Sequence, residues 1–248
     1  MSRIAAQLQA GVGKLSDGLN KYRTIMKTLF LTSYFANTAD LLPPFAGNLA
    51  GRKVCFIPTA AIPEAVDFYV DEGRAALEAL GMTVDVLDVA AAPAAMIAEK
   101  LQSGDCIYVC GGNTFFLLQA LIKKQADKML VEQISAGKLY IGESAGAMIL
   151  APSVDYAREM DDTGAAAQSV CTGLNVLDIY PLPHHGEFPF AEAAERIIQG
   201  YGNERPLCPI NNNQVILVRG NEITIQSKPV STVQTASSSI RPSEKNNK

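Results

Sequence analysis

Five short runs dominate the first 150 residues: KTLFLTS (27–33), KVCFIPT (53–59), TVDVLDV (83–89), CIYVCGG (106–112) and LYIGES (139–144). Each is rich in β-branched and aromatic residues, and several are apolar at consecutive positions rather than at alternate ones. A strand with that pattern buries both of its faces. Longer segments with helical spacing separate them, of which PEAVDFYVDEGRAALEALG (63–81) is the clearest, with Val66, Tyr69, Val70, Gly73, Leu77 and Leu80 on one side. Strands buried on both faces and joined by helices predict an α/β fold of three layers, helices covering a mostly parallel sheet on both sides. Past Pro189, FAEAAERIIQGYG reads as a further helix, and residues 213–227 as an antiparallel hairpin at one edge, turning around Arg219, Gly220 and Asn221.

At 248 residues and 48% hydrophobic composition, the chain is long enough to bury one large core. The expected domain covers 26–228. Residues 1–25 have apolar positions at helical spacing but are interrupted by Gly11, Gly13 and Gly18, which predicts a loosely helical or disordered extension. The polar, serine-rich stretch 229–248 predicts a disordered tail.

Charge and cysteine usage remove several functional classes. A net charge of −4, with scattered Lys and Arg, lacks the basic footprint that follows a phosphate backbone, so no nucleic-acid partner is expected. Five cysteines, three of them inside apolar runs, fit a reducing cytoplasm better than a disulfide framework. Cys106 and Cys110 are four apart but lack two further soft ligands, so no metal is expected. With no apolar stretch of membrane-spanning length and no apolar leader, a soluble, cytoplasmic protein without membrane contact is expected. No cofactor is implied, and the sequence assigns no oligomeric state.

Chemistry in an open parallel sheet collects at the carboxyl ends of the strands. Two such junctions stand out. In the first, Gly111 and Gly112 end a strand, and Asn113 and Thr114 open a helix, where backbone N–H groups can face a ligand. In the second, Gly142-Glu143-Ser144-Ala145-Gly146 matches G-x-S-x-G between a strand and a helix. That pattern exposes a serine hydroxyl on a strained turn, with the N–H of Ala145 facing the same point; a second N–H from the Gly111-Gly112 turn would complete an oxyanion hole. Small residues packing at a turn would produce the same five letters. A serine nucleophile also needs a base, and the chain has two histidines, His184 and His185, adjacent in YPLPHHGEF. Neighbouring side chains on extended backbone point to opposite sides, so one of them can reach Ser144.

The segments CFIPTA (55–60), GGNTFFLL (111–118), YIGESAGA (140–147) and PHHGEFPF (183–190), in this order, resemble the dipeptidase E (aspartyl dipeptidase) family. These are serine peptidases with a class I glutamine-amidotransferase-like, flavodoxin-like α/β fold. The resemblance spans roughly 26–227 and implies Ser144 as nucleophile, His184 as general base, and Gly112 and Ala145 as oxyanion-hole donors. It implies hydrolysis of short peptides through an acyl-enzyme, with Asn113, Thr114, Glu143 and His185 as candidate substrate contacts.

Two departures stand out. Where the family often has a carboxylate before the late hairpin, this chain has INNNQVILV; Asn212 is the best positional match for the third catalytic member, with Asp162, Asp161 and Glu159 of EMDDTG as alternatives. An N-terminal aspartate preference would need an arginine after the histidine, and the arginine of GEFPFAEAAERI is Arg196, inside a helical pattern. A cyanophycinase-like peptidase and a non-catalytic small-ligand binder of the same fold are the alternative readings. An α/β-hydrolase esterase does not fit the order of the motifs.

Overall fold

The computed structural model describes residues 27–168 and 170–229. The expected extension, 1–25, lies outside the described residues, as does all of the expected tail beyond residue 229. Strands β1 (Thr28–Thr32), β2 (Lys53–Ile57), β3 (Thr83–Val86), β4 (Cys106–Val109), β5 (Leu139–Glu143), β8 (Gln214–Arg219) and β9 (Glu222–Ser227) form one seven-stranded sheet in the order β3-β2-β4-β5-β1-β8-β9. The first five are mutually parallel. Antiparallel pairing of β8 with β1 and of β9 with β8 sets the expected hairpin at one edge. Strands β6 (Tyr180–Leu182) and β7 (Leu207–Pro209) make a separate two-stranded parallel sheet.

Alternation along the central strands explains the continuous apolar runs, while the edge strands β3 and β9 remain largely exposed. Leu29 and Leu31 of β1 enter one core, shared with Ile107 and Val109 of β4, while Phe30 points into the other, shared with Phe56 of β2 and Tyr108 of β4. Helices α1 (Phe35–Thr38), α2 (Leu42–Ala46) and α3 (Phe68–Ala79) supply Phe35, Leu42, Phe45 and Leu77 to the second core. The first core is closed by α4 (Ala94–Ser103), α5 (Thr114–Lys123), α6 (Ala126–Ser135), α7 (Ala145–Met148) and α8 (Ala191–Tyr201). The architecture is the three-layer α/β/α arrangement the alternating pattern predicts.

Differences from expectation cluster at element ends. The expected strands run one to three residues too far at their carboxyl ends, because their last residues peel into the loops above the sheet. The helix expected over 63–81 begins at Phe68. Ahead of it, Thr59–Ala61 forms a 3-10 turn pinned beneath the next loop by the Asn113 N–H, which donates to the Ala60 carbonyl at 2.8 Å. The chain then crosses the open end of the sheet, leaving Ile62 exposed and Val66 exposed despite its helical spacing.

Candidate active site

The loops after β1, β4 and β5 open on the same end of the sheet, and the turn after β6 joins them there. At the end of β5 the chain reverses so tightly that a Cβ on Gly142 would lie 2.7 Å from the Gly146 carbonyl oxygen. A Cβ on Gly146 would enter the Val109 carbonyl of β4. Ser144, between them, has φ 47° and ψ −108°, a strained backbone for a residue with a side chain. Its N–H donates to the Thr32 carbonyl at 2.9 Å, and its carbonyl accepts from Ala147 and Met148 as α7 starts. The hydroxyl is left projecting above the sheet.

The histidine arrives from the small sheet. Beyond β6, His184 sits in a turn at φ 60°, and its N–H donates to Ser33 Oγ at 3.0 Å, which in turn donates to the Ile210 carbonyl. The imidazole packs against the Phe190 ring at 4.8 Å between centroids. Its Nε2 lies 3.0 Å from Ser144 Oγ, and its Nδ1 lies 2.9 Å from the Asn212 amide oxygen just beyond β7. An amide oxygen only accepts, so Nδ1 carries the proton and Nε2 is left to accept from the serine. Burial lowers the His184 pKa below its ordinary value; the Asn212 hydrogen bond and the charge of Glu187 act in the opposite direction. The same Glu187 carboxylate accepts from the Asn212 N–H at 3.3 Å.

On the opposite side of the hydroxyl, Gly112 follows β4 with φ 126°, and a Cβ there would be driven into the Ala60 carbonyl. Ala145, as the first residue of α7, has an N–H with no intrahelical acceptor. Glu143, immediately before the serine, faces the other way. Its buried carboxyl accepts from Tyr108 Oη at 2.6 Å, Phe35 N at 2.8 Å, and Cys110 Sγ and Gly111 N at 3.5 Å each. Burial raises its pKa, against the pull of those four donors.

Above Ser144 lies a cavity of about 700 Å3, bounded by Gly111, Gly112, Asp161, His184, Phe188 and Asn212 among others. Of the proposed third members, Asn212 is on the imidazole and the acids are elsewhere. Asp161 lines the cavity but accepts from the Thr114 N–H at 2.9 Å, and burial raises its pKa to about 6. Asp162 caps its own short turn through the Gly164 N–H, and Glu159 pairs with Arg196 at 2.8 Å.

Of the expected substrate contacts, Glu143 borders the cavity but commits its carboxyl to the interior. Asn113 is buried as the cap of α5: its side chain accepts from Phe116 N and donates to the Asp162 carbonyl. Thr114 is buried below it. These two hold the loop and do not line the cavity: the N-cap side chain of Asn113 folds back on its own helix, and the Thr114 hydroxyl turns to Met148 and Asp161. His185 points away, 3.2 Å from Glu195. Ser33, Glu187 and Phe190 entered no expectation. Ser33 was visible as the residue after a strand, and Glu187 as an acid three residues past His184.

Among the described residues, no helix is long and apolar enough to cross a membrane, and no group of three or more His, Cys, Asp or Glu is placed to hold a metal. The profile of peptidase family S51 matches residues 28–226. An uncharacterized peptidase of Pasteurella multocida is 49% identical over 201 residues, covering 81% of this chain and 97% of its own length. A protein of Shewanella amazonensis named peptidase E is 27% identical over 202 residues, covering 78% of this chain and 82% of its own. A crystal structure of a Listeria monocytogenes protein, described as a candidate peptidase E, superposes with a TM-score of 0.79 at 45% identity, over 82% of this chain and 100% of that one. The elbow serine met by a histidine at 3.0 Å thus lies inside a match that runs across almost all of the described residues, and the chain belongs to peptidase family S51, as a serine peptidase.

Proposed function

We propose that the chain is a serine exopeptidase that hydrolyses dipeptides or other short peptides through an acyl-enzyme on Ser144. The observation carrying this reading is the Ser144 Oγ to His184 Nε2 distance of 3.0 Å at a strained strand-to-helix turn. Ser144 Oγ attacks the scissile carbonyl carbon while its proton passes to Nε2. The resulting oxyanion is met by the N–H groups of Gly112 and Ala145. His184 then gives the proton to the departing amine as the C–N bond breaks. Water, activated by the same imidazole, releases the acyl group and restores the serine.

Asn212 holds the imidazole in the tautomer this sequence requires. The Asn212 dipole and the nearby Glu187 charge favour the imidazolium, in the place where a carboxylate would do so directly. A cavity of about 700 Å3 suits a ligand of a few residues. In this reading the enzyme works in the cytoplasm, in keeping with its five free cysteines.

A fluorophosphonate probe tests the reading. Wild-type protein is expected to label, with the label lost in Ser144→Ala and strongly reduced in His184→Ala. An unlabelled wild type would leave the fold as a ligand-binding scaffold instead.

A further inference from the structure

We infer that the cavity selects peptides with a free N-terminal ammonium and an apolar first side chain, and rejects those beginning with aspartate. The inference rests on the peptidase reading above and concerns the substrate of the same site. Its basis is the charge of the walls. Glu64, Asp161 and Asp162 line the cavity, and among the described residues no lysine or arginine does. A substrate carboxylate on the first side chain would find no guanidinium or ammonium to receive it, and would lose hydration beside three like charges.

Asp161 is the carboxylate placed to receive a cation. It is half-buried, it lines the cavity together with Ser144, and its Oδ2 is steadied by the Thr114 N–H at 2.9 Å. The Thr114 hydroxyl also bonds to this carboxylate, yet two donors leave acceptor capacity on its oxygens, and among the described residues no lysine or arginine pairs with it. Burial without a counter-charge makes the ionised form costly, which is why its pKa stands at about 6; a substrate ammonium would remove that cost. When the first peptide bond is the one cleaved, as in a dipeptide, the α-ammonium is one carbon from the scissile carbonyl, so a carboxylate in the same cavity as the nucleophile distinguishes a chain end from a chain interior.

A second feature of the same wall points to a polar ligand group. Tyr69 lines the cavity, and its hydroxyl is buried with no hydrogen-bond partner among the described residues. A buried hydroxyl without a partner is costly, and a bound substrate can supply one. Besides the catalytic Ser144 and His184 with Ser33, Tyr34 and Asn212, much of the remaining boundary is apolar. Val66, Phe68 and Phe188 are exposed at the cavity, Phe188 at 96%, and Met148 and Met160 border it. Exposed aromatic surface around a reactive serine fits an apolar first side chain.

Binding to Ser144→Ala protein, measured by calorimetry, tests this apart from catalysis. Leu-Leu is expected to bind at least about tenfold more tightly than either N-acetyl-Leu-Leu or Asp-Leu, the worth of one charge-assisted hydrogen bond. Adding Asp161→Asn should erase the difference between the free and acetylated peptides. Equal binding of free and acetylated Leu-Leu, Asp-Leu binding as tightly as Leu-Leu, or no binding of Leu-Leu overturns the inference. Fluorophosphonate labelling of wild-type Ser144 reports separately on the peptidase reading: a labelled enzyme with an overturning binding pattern sinks the inference alone, and an unlabelled one sinks the peptidase reading.

Discussion

The amide oxygen of Asn212 stands 2.9 Å from Nδ1 of His184, so the imidazole is oriented by a neutral dipole rather than a formal charge. Glu187 adds a charge without touching the ring: it accepts from the Asn212 backbone N–H, and its charge raises the His184 pKa. Replacing the amide with a carboxylate should therefore strengthen the base. Asn212→Asp is expected to raise kcat about tenfold, and Asn212→Ala to lower it by about tenfold or more, since the ring then loses its tautomer control. Steady-state kinetics on a common dipeptide checks both.

The pH profile follows from the surroundings of the same ring. Burial lowers the His184 pKa, and a general base works in its neutral form, so activity is retained as pH falls until below the ordinary histidine value of 6.5. The acid limb of kcat/KM is expected there. Because the Glu187 charge raises the pKa, Glu187→Gln should move the limb further down, and Asn212→Asp should move it up. A limb that stays in place in Glu187→Gln would remove Glu187 from the electrostatics of the site.

Strain at the nucleophile has a thermodynamic signature. At φ 47° a side chain is disfavoured and glycine is not, at a cost of about 1 to 3 kcal/mol for such a residue. Ser144→Gly should unfold at a higher temperature than Ser144→Ala while both lose fluorophosphonate labelling. Calorimetric melting of the two variants gives the comparison.

Gly112→Ala combines a backbone collision with a φ of 126°, and should cost about 2 kcal/mol or more while abolishing labelling. The elbow itself is untouched by this change. A stable, fully labelled variant would argue against the Gly112 turn as an oxyanion donor.

Glu143 gives a stability test independent of catalysis. Removing its carboxyl in Glu143→Ala strands the Tyr108 hydroxyl and the Phe35 N–H, at a cost of about 3 kcal/mol. Its folded pKa is raised above 4.5, so the native state holds the proton more tightly than the unfolded chain, and stability falls as pH rises from 4.5 through the folded value. Glu143→Gln should flatten that slope in urea unfolding followed across pH.

The sheet was legible because its strands hide both faces: Leu29, Phe30 and Leu31 could not be consecutive and apolar on a half-exposed strand. The elbow was legible for a related reason, since glycine at 142 and 146 answers a collision that the local chain itself creates. Elsewhere local pattern misled. Val66 keeps helical spacing with Tyr69 and Val70, yet it precedes the helix and faces the cavity mouth. Glu143 occupies the variable position of G-x-S-x-G and read as a ligand contact, but alternation along β5 turns it inward. The role of Ser33 depends on residues about 150 and 177 positions away, and β7, three residues ending in proline, is too short to show a period. Such contacts are made by tertiary folding and leave no local trace.

The placement of the histidine on the small sheet has a further consequence. Ser144 follows a strand of the large sheet, whereas His184 and Asn212 lie in the turns just beyond β6 and β7, and Ser33 bridges the two through the His184 N–H and the Ile210 carbonyl. A slight tilt of the small sheet would change the Oγ to Nε2 approach. Because Leu182 of β6 is buried in the same core as Ala145, Ala147 and Met148 of α7, substitutions in the small sheet would reach the reaction through the spacing of base and nucleophile as well as through packing.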